Sequence, residues 1–271
     1  MKDLYDKISF RISKVTTVAY STSFSLGIKV FSRRFHDPIY GIYGFVRLAD
    51  EIVDTFHAYD KEYLLEDFRK QTHRAIKDGI SLNPVLNSFQ HVVNNYGIET
   101  ELVDTFLKSM EMDLERKDYD QRGYERYILG SAEVVGLMCL RVFLERDDKK
   151  YEELKDHAMS LGSAFQKINF LRDLKADYET MGRTYFPGVD LDNFGETERR
   201  RIEEDIERDF RHGHEGIEKL PPAVRRGVYI AYIYYYSLFK KIRNTPTSTL
   251  LSKRIRIPNI KKYWLLLRSF F

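Results

Sequence analysis

Two pairs of aspartates, each spaced four residues apart, carry the chemistry this sequence is equipped to do. Asp50 and Asp54 lie in YGFVRLADEIVD with Tyr43 and Arg47, and Asp173 and Asp177 lie in FQKINFLRDLKAD with Gln166, Asn169 and Arg172. At about 100° per residue, Tyr43, Arg47, Asp50 and Asp54 fall within roughly 60° of one another on a helix, and Gln166, Asn169, Asp173 and Asp177 within roughly 80°. Each set makes one polar stripe on an otherwise apolar helix. Carboxylates at i and i+4 repel by a few tenths of a kcal/mol when exposed and by far more when buried. A buried pair therefore asks for a cation. Hard carboxylate oxygens without thiol or imidazole neighbours suit Mg2+ (or Mn2+), which keeps waters and is held by one or two carboxylates together with substrate phosphates. Two such faces set opposite would make a bound diphosphate a competent leaving group, and Arg47 and Arg172 could add charge-assisted hydrogen bonds.

The plainer alternative is a catalytically silent helical scaffold with two acidic stripes. A D-x-x-x-D pair arises by chance about once per few hundred residues. Asp205 and Asp209 in EEDIERDF have the same spacing, but Glu203, Glu204, Glu207, Arg208 and Arg211 surround them, and that pair reads as a solvated charged face. The two candidate pairs differ in their apolar flanks and in the amides or arginine that share each stripe. The seven histidines show no H-E-x-x-H spacing, and the HGH at 212–214 reads as a loop, so a histidine zinc site is not expected. Neither a G-x-x-x-x-G-K-[ST] loop nor a G-x-G-x-x-G after a strand occurs. Cys139, in the apolar run GLMCLRVF, reads as a core thiol.

Helices must position these groups. None of the seven prolines falls between Pro84 and Pro187, which argues against a many-turned β protein. Apolar residues recur at helical spacing in Leu102, Phe106, Met110 and Leu114, and in Leu161, Phe165, Ile168, Leu171 and Leu174. The pattern predicts helices over 3–22, 34–56, 60–79, 84–96, 99–116, 124–143, 150–178, 197–220 and 222–243, with long loops at 182–193 and 244–258. The expected fold class is all-α, a single-domain helical bundle over 1–271, because no Pro/Ser/Gly-rich linker or charge block divides the chain.

Of 271 residues, 44 are Lys or Arg and 41 Asp or Glu, a net charge of +3 with no basic tail, so nucleic acid is not an expected partner. A single cysteine excludes an intrachain disulfide and fits a reducing cytosol. The charge-interrupted start, MKDLYDKISFRISK, does not read as a secretory signal. Nothing reaches about 18 uninterrupted apolar residues, the length of a membrane span; Val228 to Phe239 comes nearest. Aromatic residues, at 14%, exceed what a plain helical scaffold needs.

With both acidic motifs in hand, the chain resembles the squalene and phytoene synthase family, and within it the bacterial phytoene synthases. The resemblance runs nearly end to end: STSF at Ser21 to Phe24, YGFVRLADEIVD, MEMDL at Met110 to Leu114, YILGSAEVVGLM at Tyr127 to Met138, LGSAFQKINFLRDLKAD, GRTYFP, and RIRIPNIKK at Arg254 to Lys262. It implies an isoprenoid synthase fold with a central cavity. It implies that Asp50, Asp54, Asp173 and Asp177 bind Mg2+ and substrate diphosphates with Asn169 beside the metals. Arg47 and Arg172 match family arginines near the diphosphates, and Ser21 and Ser23 match serines of a flap over that site. Tyr43, Tyr127 and Gln166 match cavity residues, Tyr235 a tyrosine near the diphosphate, and Arg254 a C-terminal arginine that reaches it. Three positions depart from the pattern: Ala176 stands where a glutamate is usual, Thr22 where some relatives carry a diphosphate-binding lysine, and Glu133 where they carry glycine.

The activity implied is head-to-head condensation of two geranylgeranyl diphosphates, through prephytoene diphosphate, to phytoene. No NAD(P)H is expected for that reading; squalene or dehydrosqualene formation from farnesyl diphosphate is the alternative within the family. Charge develops on carbon in these reactions, so the cavity must exclude water. Aromatic faces from Tyr43, Phe24, Tyr127, Phe165 and Phe170 are candidates to stabilise it, at up to about 2 kcal/mol each when desolvated. The partners expected are prenyl diphosphates, for a monomer or weak oligomer. The C-terminal KKYWLLLRSFF has the composition either of a segment lying on a membrane surface or of one packed on the bundle, which would make the protein cytoplasmic or peripheral on the inner face of the membrane.

Overall fold

Turn chemistry sets where these helices start and stop. In a computed structural model, which describes residues 1–114, 119–181, 185–189, 194–250 and 255 (backbone alone for 22–24 and 175–181), the described residues form helices and no strand. They are α1 (Lys2–Tyr20), α2 (Thr22–Ile28), a 3-10 turn (Arg33–Phe35), α3 (His36–Asp54), α4 (Lys61–Asp78), α5 (Pro84–Tyr96), α6 (Thr100–Leu114), α7 (Gln121–Ile128), a π turn (Leu129–Glu133), α8 (Val134–Leu144), α9 (Asp148–Met181), α10 (Glu196–Lys219), α11 (Pro222–Arg243) and α12 (Thr247–Leu250). Asp60 caps α4 by accepting from the Tyr63 N–H at 2.9 Å, and Asn83 caps α5 from the Val85 N–H at 3.0 Å with Pro84 in the first turn. Gly79 and Gly97 close the same two helices with φ of 69° and 67°, a conformation that favours glycine.

The predicted 84–96 and 222–243 helices match α5 and α11, and most others agree within a few residues. Two expectations are corrected. The 3–22 helix breaks at Ser21, whose extended backbone (φ −140°, ψ 101°) starts a second short helix, and α12 lies inside the predicted 244–258 loop. The predicted 124–143 helix is one run from Gln121 to Leu144, interrupted by the π turn. This run, not Val228 to Phe239, is the one segment among the described residues long and apolar enough to cross a bilayer. Yet 67% of its most apolar window is buried inside the protein, so its apolar surface is already used by the core.

Burial explains the architecture. α3 buries most of its length, from Pro38 to Val53, and its Phe45 stacks on Phe89 of α5 with ring centroids 3.8 Å apart. A first core joins α3, α4, α5, α6 and α8; a second joins α7, the later half of α9, α10 and α11 with Tyr185, Phe186, Val189 and Phe194. Glycine lets the long α9 approach the π turn: a Cβ on Gly162 would stand 2.7 Å from the Ala132 carbonyl oxygen and 3.1 Å from its carbon. Backbone cannot yield as a side chain can. Gly162→Ala should therefore cost about 1–3 kcal/mol, read as a lowered midpoint of thermal unfolding.

The Asp205 and Asp209 face is not solvated as its charge pattern suggests. Lys167 reaches from α9 to both, 2.5 Å from Asp205 and 2.7 Å from Asp209, and Ser163 donates to Asp209 at 2.9 Å. The sequence pattern of one helix cannot show that a lysine from another will cover it. Beside this network Glu133 is pushed up to about 7, first by burial and then by the Asp209 charge, with Lys167 opposing. A carboxyl whose folded value is raised loses stability as pH climbs from its unfolded value near 4.5 to about 7, because the native state then holds the proton the unfolded state has released. Glu133→Gln should thus raise stability by about 1–2 kcal/mol at pH 8, after allowance for solvent screening, and change little near pH 4. Thermal melts at the two pH values check it.

Candidate active site

α3 and α9 each turn part of a polar stripe to one hollow, Tyr43 and Asp50 on α3 and Gln166 and Asn169 on α9. A cavity of about 350 Å³ is lined by Tyr43, Val46 and Asp50 from α3, and by Phe165, Gln166 and Asn169 from α9. Ser21, Tyr127 and Tyr235 join the same wall. The rest of it is mostly apolar, with Ile28, Phe31, Leu140, Phe143 and Leu154 among its residues and Ser131 and His157 as polar exceptions. The volume suits a small-molecule site. Along α9 alone, the lining residues from Leu154 to Asn169 span about 22 Å at 1.5 Å per residue.

On α3, burial raises both carboxyls of the acidic pair. Asp50 keeps 31% of its side-chain surface accessible, but that surface is cavity wall. Burial, then the charge of Asp54, pushes Asp50 up to about 7; Arg47 opposes, and Asp113 and Glu51 add to the rise. Burial raises Asp54 as well. Arg47 does not neutralise the pair. It is 2.5 Å from Glu51 and 3.7 Å from Asp50, and its guanidinium lies over the Tyr20 ring at 4.2 Å. On α9, Arg172 pairs with its neighbour Asp173, its Nε donating at 3.0 Å. Tyr235, hydrogen-bonded with Asn169 and stacked on Phe165 at 4.1 Å, closes the wall from α11.

Asn169 supplies the observation that tests for a metal. Its Oδ1 is buried with no hydrogen-bond partner, although a buried amide oxygen is normally satisfied. An orphaned hard oxygen on the same cavity wall as Asp50, whose carboxyl burial pushes towards protonation, fits a hard divalent cation such as Mg2+.

Of the residues singled out from sequence, Ser21, Tyr43, Asp50, Tyr127, Gln166, Asn169 and Tyr235 line the cavity. Arg47, Asp54, Arg172 and Asp173 lie on the same two helices, one turn or less from a lining residue, without lining it. Ser23, Asp177, Arg254, the Phe24 ring, the side chains at 22 and 176, and the C-terminal KKYWLLLRSFF lie outside the described residues or side chains. Phe165 is on the wall, but Phe170 is not: one residue past Asn169 it turns about 100° away and stacks on Tyr185 at 4.1 Å in the second core. Cys139 is a buried thiol as expected and also borders the cavity.

Asp113 is a site residue that the acidic-pair search missed. It accepts from the Tyr127 hydroxyl at 2.8 Å and from the Tyr185 hydroxyl at 3.4 Å, and its charge is felt at Asp50. The signal was present. Asp113 stands seven residues after Phe106 and three after Met110, a carboxylate on the apolar face of its helix.

An all-α bundle around an apolar hollow with hard-oxygen donors at one wall is the isoprenoid synthase architecture. A dehydrosqualene synthase crystal structure shares it with a TM-score of 0.84 at 22% identity, over 98% of this chain and 96% of that one. The chain belongs to the squalene/phytoene synthase family, whose model matches residues 17–261. It is 25% identical to a phytoene synthase of Arthrospira platensis over 94% of this chain and 90% of that protein. It is also 27% identical to a 4,4'-diapophytoene synthase of Staphylococcus haemolyticus, over 70% of this chain and 65% of that protein.

Proposed function

We propose that this protein is a head-to-head prenyltransferase of the phytoene synthase type, joining two geranylgeranyl diphosphates through prephytoene diphosphate into phytoene with release of diphosphate. The observation that carries the reading is Asp50, Gln166, Asn169 and Tyr235 on the wall of one hollow that is otherwise lined mostly by apolar side chains. Such a hollow takes a molecule with an anionic head and a hydrocarbon tail. Likeness to the Arthrospira phytoene synthase over most of both chains supports the longer substrate.

Asp50, Asp54, Asn169, Asp173 and Asp177 would hold Mg2+, which when bound supplies the positive charge that makes diphosphate a competent leaving group. Arg47 and Arg172 would add hydrogen bonds to the departing diphosphate, with Ser21, Ser23, Tyr235 and Arg254 holding the head group. Part of the chain's own contribution is to keep phenols and a thiol on the cavity wall protonated. Burial holds the Tyr43 and Tyr127 phenols well above their ordinary range, and Asp113 accepting from Tyr127 keeps that proton in place. Burial likewise pushes the Cys139 thiol up to about 12. At neutral pH these groups face the substrate as neutral O–H, S–H and ring faces, unable to trap a carbocation as a phenolate or thiolate would.

Synthesis of a C30 hydrocarbon from farnesyl diphosphate is the second reading, favoured by the likeness to the Staphylococcus enzyme. Incubating the purified protein with geranylgeranyl or farnesyl diphosphate and Mg2+, with and without NADPH, separates the readings. The expected product is phytoene from the C20 substrate, formed without NADPH and lost on chelation. A C30 hydrocarbon alone would establish the second reading, and no diphosphate release from either substrate would overturn both.

A further inference from the structure

Close helix packing brings together a group of side chains unrelated to the acidic stripes. The HGH at 212–214, expected to be a loop, lies within α10, because its glycine is needed against α9: a Cβ on Gly213 would stand 3.0 Å from the Leu161 Cβ, and one on Gly216 only 2.3 Å from the Cβ of His157. That approach sets the His157 and His212 rings with centroids 4.2 Å apart. Glu215, one turn beyond His212 on α10, completes the group. A ring nitrogen of each histidine and a carboxylate oxygen of Glu215 lie within 4.8 Å of one another.

The hydrogen bonds decide which nitrogens are available. His157 Nδ1 is 2.8 Å from the His212 backbone carbonyl, which can only accept, so Nδ1 carries the proton and Nε2 the lone pair. His212 Nδ1 is held by the Ser160 hydroxyl at 2.8 Å, which leaves its Nε2. Orienting each imidazole through one nitrogen while the other stays open is how proteins prepare histidine ligands. Lys219 Nζ sits 3.4 Å from His157 Nε2, donating to that lone pair, and has Glu153 at 3.8 Å as an alternative partner. It is a displaceable occupant.

We propose that His157, His212 and Glu215 form a transition-metal site of the Zn2+ class, separate from the acidic faces. Two imidazoles and one carboxylate match the borderline-soft, four-coordinate preference of Zn2+ and not the oxygen shell of Mg2+. Tetrahedral coordination requires donors about 3.3 Å apart for bonds of about 2.0 Å; the exposed Glu215 side chain can rotate inward, and small turns of the two rings close the remaining gap between their nitrogens. Three protein ligands leave a fourth position open. His157 also lines the cavity, so a metal here would clamp α9 to α10 on the wall of the hollow.

The test uses the full chain, stripped with a chelator and titrated with Zn2+ by calorimetry and with Co2+ by visible absorption, all in excess Mg2+. One Zn2+ per chain and the intense visible bands of low-coordinate Co2+ are expected. Glu215→Gln, at an exposed position that leaves the fold intact, and His212→Gln should each weaken binding more than about tenfold, and Ser160→Ala about tenfold. Lys219→Ala should tighten it a few-fold, and a protein carrying Asp50→Asn and Asp173→Asn should bind as the parent does. No binding in excess Mg2+, binding indifferent to Glu215→Gln and His212→Gln, or binding lost with the two aspartates would overturn the proposal.

Discussion

Replacing Asp50 by Asn should reduce hydrocarbon formation by at least about 10³-fold, the scale of losing a preorganised charge contact to a leaving group, and should also yield a protein that melts higher than the parent at pH 8. The two effects share a cause. Asp50 is pushed up to about 7 by burial and by Asp54, while Arg47 spends its short contact on Glu51. With a folded value above the usual 3.8, the carboxyl costs stability as pH rises from about 4 to about 7, and above that the full penalty is present. Asparagine keeps the shape and removes the charge. The gain expected in the metal-free protein is about 1–3 kcal/mol at pH 8, discounted for screening by the cavity, and close to none at pH 4. Mg2+ should stabilise the parent in proportion to the logarithm of its concentration and leave the variant unmoved. Activity within tenfold of the parent, or a variant that melts lower at pH 8, would count against a cation site at Asp50.

Arg199→Met should destabilise the protein by about 3–5 kcal/mol, the cost of stripping one partner from a buried ion pair, and lower its melting midpoint by roughly 10 °C. Only 4% of the Arg199 side chain is exposed. Its Nε donates to Glu203 at 2.8 Å, one terminal nitrogen to the Thr247 hydroxyl at 2.9 Å, and the other to the Ile242 and Arg243 carbonyls at 2.9 and 2.8 Å. Those carbonyls belong to the last turn of α11, where no i+4 helical N–H follows; the Ile242 carbonyl also accepts from the Thr245 N–H at 2.9 Å. Methionine fills much of the same volume, yet it strands Glu203, itself buried, and takes away the Arg243 carbonyl's donor, while the Ile242 carbonyl keeps the Thr245 N–H. Lysine, with one point charge in place of a planar fork, should recover only part of the loss. Thermal and denaturant unfolding of the two variants measures this; a methionine variant within 1 kcal/mol of the parent would show that the network contributes little.

Arg199 also shows where reading the chain alone stops. It sits in the charge-dense run ETERRRIEEDIERDF, where nothing distinguishes it from Arg200 or Arg201, and three of its partners, Ile242, Arg243 and Thr247, lie more than 40 positions away. Lys167 and the Asp205 and Asp209 face are a second case, since burial of a charge is decided by what packs over it.

What the linear order of residues determined is whatever obeys a local period or a local cap. The helical class and the two acidic stripes follow from side chains recurring every three to four positions, and the span of α5 from its caps at Asn83 and Gly97. Tertiary structure alone decided that Asp50 and Asn169 face one hollow, that Asp113 joins them through Tyr127, that Phe170 turns away, and that His157 meets His212 across two glycines. The reason is physical: a helix's own geometry fixes which of its residues share a face, but which face is buried, against what and at what distance, depends on side chains far apart in the chain.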